Sequence, residues 1–420
     1  MNTHRLKLAV VLYSLTGILF AQNPSKVTFG KGMSLMAEDS SVSMKFQFRM
    51  QHLFDLSQGL GDGDELKANF LVRRARLKFS GHVYNPKLTY KAELGLTSKD
   101  ISTSKEDGNT GGSSRIILDA VLKYQFAKNW SFWVGQTKLP GNRERVISSS
   151  ALQFVDRSIL NSKFNIDRDM GVQLHGKYKL GNAVLRPKFA FTAGEGRDIS
   201  SGNIGGFNYT GRVEYLPFGD FEGKSDDYVS SDLKRQPLPK LALGATYNFN
   251  DDAVRQQGQL GSFVYQLDGL GQSTGDYAQH DLYALQLDAF FKYKGLSWMT
   301  EYAVASTSPI LGNGEFIHVN GSEVVNDEAI INGSKKFNTG TAVNTQVGYL
   351  FPNNFEVAGR YTTISPDTQY SGLKETTEYT LGVSKYIVGH NLKIQSDFTY
   401  QEYLNADDAI RFRLQFEVQF

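Results

Sequence analysis

The chain contains no cysteine, and its 420 residues include only ten prolines. Without cysteine there is no disulfide framework, no thiolate nucleophile and no thiolate metal ligand. Charge of one sign is missing too, because 45 lysines and arginines stand against 43 aspartates and glutamates. Bulk charge therefore points to no nucleic acid or other polyionic partner. No HExxH or P-loop pattern occurs, and the seven histidines, His52, His82, His280 and His318 among them, are scattered over distant segments. Catalysis needs its nucleophile or acid–base groups clustered with their partners, so the expectation is no enzyme and no cofactor. Beyond the N-terminal region there is no apolar run of 18 or more residues. That excludes a membrane-spanning helix and leaves a closed barrel as the only way through a bilayer.

The N-terminus has its own signature. Arg5 and Lys7 precede an apolar run from Leu8 to Phe20, followed by Ala21 and polar Gln22-Asn23-Pro24. A basic start, a short greasy stretch and a small residue are the parts of a secretory signal. The run is thirteen residues long, short of the roughly 20 that a spanning helix needs. Leu19 stands where a small residue is usual before the cut. The expected division is a signal peptide at 1–21, an N-terminal periplasmic segment at 22–41 and one barrel domain at 42–420. Removing 1–21 leaves as many basic as acidic residues.

What the chain does have is alternation. From Val42 onward, apolar or aromatic residues alternate with polar or charged ones over ten or so positions and then break at Gly, Asn, Asp or Pro. This is the period-2 pattern of strands. It is clearest at the end, where Ile410, Phe412, Leu414, Phe416, Val418 and Phe420 alternate with Arg411, Arg413, Gln415, Glu417 and Gln419. There are sixteen such segments, beginning with 42–56 and 68–83 and ending with 409–420. An even number returns both termini to one side of the membrane. Segments of ten to fourteen residues exceed the soluble mode of about 5 to 6 and match the roughly 9 to 11 of a tilted crossing.

Connections alternate between short turns, such as Gly181-Asn182 and Lys294-Gly295, and long polar loops near 57–67, 99–114, 140–168, 195–205, 251–280, 307–339 and 365–375. Outer-membrane barrels have this asymmetry. One link on the short side, 217–238, is long for no reason the sequence reveals. Near the short-turn ends lie Tyr84, Tyr124, Phe126, Trp130, Tyr178, Tyr215, Tyr293, Trp298, Tyr349, Phe351, Phe355, Tyr386 and Phe420, placed for an interfacial girdle. The expected fold is all-β, a transmembrane antiparallel barrel of 16 strands in the outer membrane of a Gram-negative bacterium. A soluble β-sandwich, its greasy face turned inward, is the competing reading.

If the apolar face meets lipid, the other face lines a lumen. On the first strand Lys45, Gln47, Arg49 and Gln51 then point in. On the second Leu71, Ala75, Leu77 and Phe79 point out, and Arg74, Arg76, Lys78 and His82 point in. On the last strand, which closure sets beside the first, Arg411 and Arg413 point in. These three strands make one basic wall. His175, Lys177, Lys179, Arg186 and Lys188 form a second basic group near the periplasmic mouth. The acidic lumen residues Glu93, Asp119, Asp288, Glu301, Glu356 and Asp397 are dispersed. The loop at 140–168 carries Val146, Ile147, Leu152, Phe154, Ile159 and Leu160, too many apolar residues for a segment left in solvent, so it is expected to fold into the barrel as a constriction. A one-sign Arg/Lys lining concentrates anions. Arginines that only brace carboxylates across the wall are the competing reading.

Gly135-Gln136-Thr137-Lys138-Leu139-Pro140, Phe154-Val155-Asp156-Arg157-Ser158, the run Phe70-Leu71-Val72-Arg73-Arg74-Ala75-Arg76-Leu77-Lys78-Phe79-Ser80-Gly81 and the terminal Phe420 resemble the phosphate-selective porin O and P family. The resemblance covers nearly the whole mature chain in strand order. It implies sixteen-stranded homotrimers with an inward-folded third loop, and passage of small anionic solutes, phosphate among them, along lumen arginines and lysines. Lys138, Arg143, Arg145 and Arg157 would then belong to the constriction, where Glu144 and Asp156 depart from the pattern. With the basic wall, the expected pore-lining, anion-binding set is Lys45, Arg49, Arg74, Arg76, Lys78, Lys138, Arg143, Arg145, Arg157, Arg411 and Arg413, with no metal. Expected partners are outer-membrane lipid and the barrel-assembly machinery, which would engage the last strand ending at Phe420, and no nucleic acid.

Overall fold

The computed structural model describes residues 28–97, 100, 115–199, 202–223, 225–267, 273–307, 337–368 and 371–420. The expected signal peptide and most of the loops at 99–114 and 307–339 lie outside them. Sixteen strands build the wall: β1 Ser43–Gly59, β2 Lys67–Val83, β3 Asn85–Gly95, β4 Ile117–Ala127, β5 Trp130–Lys138, β6 Arg168–Gly176 continued by Tyr178–Leu180, β7 Ala183–Thr192, β8 Asn208–Leu216, β9 Lys240–Ala253, β10 His280–Tyr293, β11 Leu296–Thr307, β12 Gly340–Leu350, β13 Phe355–Pro366, β14 Thr376–Tyr386, β15 Leu392–Tyr403 and β16 Ala409–Gln419. Each pairs antiparallel with its sequence neighbours, and β16 closes on β1 from Gln419 opposite Arg49 to Ala409 opposite Gly59. Among the described residues no sheet edge is left along the barrel, so its backbone groups are satisfied inside lipid.

The wall is inside out relative to a soluble protein. On β16, Phe412 and Phe416 are 37% and 49% exposed, while Arg413, Gln415 and Glu417 are 5%, 1% and 2% exposed. A greasy exterior around a polar interior excludes the soluble sandwich, whose greasy face would be covered. Tyr84, Tyr124, Phe126, Tyr215, Trp298, Tyr349, Phe351, Phe355 and Phe420 are exposed as a girdle requires. Tyr386 is not part of it. Its side chain turns into the lumen, where it bonds Glu356 and Ser231.

Tight turns join strands at the periplasmic end. Lys294 and Gly295 both have positive φ, 46° and 92°, the two-residue hairpin whose twist matches its strands and in which glycine carries no Cβ penalty. The link at 217–238 is no loose insertion. It folds up into the barrel mouth, where Phe221 stacks on Phe290 at 5.9 Å, Asp226 pairs with Lys292 at 2.7 Å, and the Ser230 N–H donates to the Ala151 carbonyl. On the N-terminal side, Met33–Met36 pairs with the first residues of β1, Met36 opposite Ser43.

One irregularity corrects the inward and outward assignment. Gln51 lies opposite Arg74, but His52 lies opposite Val72, so Arg73 is an extra residue in β2. Such a bulge reverses strand parity beyond it. Leu71 therefore faces inward, opposite Leu53, and lines the lumen instead of lipid. Strict alternation across 70–79 could not reveal this.

Candidate functional site

The loop between β5 and β6 crosses the lumen. It contains two short helices, α1 Arg143–Val146 and α2 Ile159–Lys163, the latter capped by the Ser158 hydroxyl accepting from the Asn161 N–H. Its apolar anchors are sealed in: Leu139, Ile147 and Leu160 are 0% exposed, and Leu152, Phe154 and Val155 at most 2%. Polar ties reach the far wall. Glu301 on β11 accepts from the Glu144 N–H, the Gln153 amide donates to Ser297 and Glu356, and the Val155 N–H donates to Asp397 on β15. Gly382 on β14 makes room, since a Cβ there would lie 2.9 Å from the Phe154 ring. The expected inward fold is observed.

The loop divides the interior into two cavities, about 720 Å³ on the extracellular side and about 830 Å³ on the periplasmic side. Arg76, Lys138 and Arg168 border both. These three cations thus stand where the two cavities meet the loop from either side. Twelve arginines and lysines and five carboxylates line the outer cavity; ten and four line the inner one.

Of the expected residues, Arg74, Arg145, Arg157, Arg411 and Arg413 border the outer cavity, Arg49 and Lys78 the inner one, and Arg76 and Lys138 both. Lys45 and Arg143 border neither. Most are held by partners. Arg411 forms a two-bond fork with Asp55 at 2.7 Å each, Arg413 grips Asp397 at 2.7 and 3.0 Å, Arg76 pairs with Glu93 at 3.1 Å, and Arg49 donates to Ser149 on the loop. Arg145 pairs with Asp167. Arg143 is fully buried beside Asp288, Glu214 and Asp227 at 3.2, 3.5 and 3.7 Å. It anchors the loop to the wall and does not meet the pore. Lys138 extends its ammonium to the carbonyls of Arg145, Val146 and Ile147, closing the C-terminal end of α1.

Arg157 differs. Among the described residues it donates only to the backbone carbonyls of Glu144 and Ile147, at 2.9 and 2.7 Å. Burial, with Arg145 and Arg74 beside it, pushes its guanidinium well below the ordinary arginine value. Asp156 is the reverse case. Burial alone would raise its carboxyl, but Arg74, Arg73 and Arg413 outweigh burial and hold it well below the usual carboxylate range.

Sequence reading missed Arg73, Arg168, Arg197 and Arg360, all of which line the outer cavity. Arg360 sits between outward Gly359 and Tyr361, so simple alternation on β13 would have found it; Arg73 needed the bulge. The string Gly271-Gln272-Ser273-Thr274-Gly275 also spells GxSxG. Ser273 opens a short strand in the β9–β10 connection, Ser273–Tyr277 paired with Tyr265–Leu267, not the strand-to-helix elbow that exposes a nucleophile.

A closed sixteen-strand barrel with a polar lumen and a loop folded across it defines an outer-membrane porin. Residues 44–228 match the family described as phosphate-selective porin O and P, the family that the sequence motifs resemble. Two solved structures share the fold. One is an anion-selective porin from Comamonas acidovorans, 10% identical, with TM-score 0.51, 90% of this chain and 100% of that one covered. The other is a loop L8 deletion mutant of OmpT, an outer membrane protein of Vibrio cholerae, 11% identical, with TM-score 0.50 and the same coverage. No curated protein matches the chain in sequence.

Proposed function

We propose that the chain forms a water-filled channel for passive diffusion of small solutes, with a preference for anions such as phosphate and no catalytic step. The observation that carries this reading is that Arg76, Lys138 and Arg168 border both cavities, each of which is rich in cations. Guanidinium forks suit phosphate and carboxylate oxygens, and a low-dielectric wall focuses their field. The Comamonas porin that shares this fold is anion-selective, in keeping with the same reading. Residues 1–21 direct export, 22–41 remain periplasmic, the assembly machinery takes up the last strand at Phe420, and the working unit is a homotrimer.

Purified protein in planar bilayers under a potassium chloride gradient is expected to give a reversal potential favouring chloride, with added phosphate reducing the current. A potential favouring potassium would overturn the anion preference. Equal permeability would assign the ion-paired arginines to bracing, as the forks from Arg411 and Arg413 suggest for those two, and leave a general pore.

A further inference from the structure

The two cavities differ in one respect that charge does not explain. Aromatic rings border the periplasmic one, Trp133, His175 and Tyr228 among them, and among the described residues none borders the extracellular one. The inward residues of β4, β5 and β6 stack there. Lys123 on β4 lies opposite Trp133 on β5, and its ammonium sits 3.5 Å from the indole centroid. The His175 ring lies against the same indole at 3.9 Å, nearly parallel at 5°. The indole Nε1 donates to Ser131, fixing the ring in its plane.

Lys123 makes no ion pair or hydrogen bond with the described residues; the indole face is what it has. Lys78, on β2 of the same wall, likewise has neither among the described residues. This contrasts with their neighbours, since Lys91 pairs with Asp119 and Glu93, and Lys188 with Glu214. An unpaired ammonium over a fixed indole, in a cavity that the unpaired Lys78 also lines, is complementary to a ligand that is both flat and anionic. A cation over an indole face is a weak attraction, one that an aromatic ring stacking on that face can replace. The displaced ammonium could then meet the ligand's carboxylate as a charge-assisted bond.

We propose that the periplasmic vestibule holds a binding site for aromatic carboxylates, the ring lying on Trp133 and the carboxylate between Lys123 and Lys78. The site rests on the anion-conducting reading and deepens it, separating flat organic anions from inorganic ones within the same pore.

Benzoate, cyclohexanecarboxylate and inorganic phosphate are to be added in turn to the periplasmic side of the reconstituted channel, with Trp fluorescence followed in parallel in detergent. Benzoate is expected to block at about tenfold lower concentration than cyclohexanecarboxylate, which has its charge and near size without the flat ring, and to quench part of the fluorescence. Lys123→Gln, with the indole intact, and Trp133→Leu should each abolish that difference, and Trp133→Leu should leave phosphate block unchanged. Equal block by the two carboxylates in the wild-type channel overturns the site, as does a benzoate preference that survives both variants. A channel that fails to conduct or prefers cations overturns the function proposed above instead, and the fluorescence titration still reads binding at Trp133.

Discussion

Arg143→Ala is expected to loosen the constriction, raising single-channel conductance and lowering the barrel's stability to denaturant. The guanidinium is completely buried, lies 5.2 Å from the Tyr228 ring centroid, and touches carboxylates from three elements: Asp288 on β10, Glu214 on β8 and Asp227 in the periplasmic link. Breaking a buried ion cluster from one side commonly costs about 3–5 kcal/mol. The lower end applies here, because the carboxylates keep other partners: Arg212 holds Asp288 at 2.6 Å, Lys188 holds Glu214 at 2.9 Å, and Arg186 holds Asp227 at 2.5 Å. What loses its tether is the loop, since Arg143 begins α1. Arg143→Lys keeps the charge but lacks the planar fork that reaches three acceptors at once, and it should fall between wild type and alanine in both measurements. Reduced stability with unchanged conductance would show that the loop's other ties, through Glu144, Ser149, Gln153, Val155 and Asp156, hold it without Arg143.

The same cluster explains the link whose length the sequence leaves without a role. Asp226 and Asp227 form a 3-10 turn with Tyr228, and from there Asp226 reaches Lys292 while the Tyr228 hydroxyl donates to Glu214. The link and the constriction loop therefore share Arg143 and the Ser230–Ala151 backbone bond. The constriction is clamped from its periplasmic side by a segment on another hairpin, which is why 217–238 is too long for a turn.

The barrel is legible in the sequence because its pattern is one-dimensional. Period-2 alternation, strand length and turn residues are local, and lipid imposes them on every strand, so the boundaries and the β16–β1 closure follow from counting. The loop's inward fold is legible for a related reason, since Phe154 and Leu160 have nowhere else to go. What stays hidden depends on pairing. The β2 bulge exists only relative to β1, and it moves Leu71 and Arg73 to faces that strict alternation denies them. The burial of Arg143 depends on Glu214 and Asp288, far away in the chain. A place beside a turn suggests the girdle for Tyr386, yet parity on β14 turns it inward to Glu356. A sequence offers composition at each face but not which cation meets which carboxylate, and that distinction separates bracing from attraction.

The bulge also sets the charge around Asp156. Because Arg73 and Arg74 both turn inward, they converge on this one carboxylate: Asp156 accepts from Arg73 at 3.0 Å twice and from Arg74 at 2.7 Å, with Arg413 at 3.9 Å. Asp156→Asn preserves the shape and removes the charge. Three guanidiniums then face the outer cavity with less compensation, so anion preference and phosphate block should both increase severalfold, while stability falls as the arginines repel one another. Acid will not reproduce this. The folded carboxyl lies below its unfolded value of about 3.9, so its stabilising contribution is complete above that value and lost only as pH falls through the lower, folded one. Titration of Asp156 should therefore contribute nothing to wild-type selectivity between pH 8 and pH 4, which should stay distinct from that of Asp156→Asn throughout. A wild-type channel that drifts toward the variant's selectivity near pH 5 would mean that the arginines do not hold Asp156, and that the cations of the outer cavity are freer than their geometry indicates.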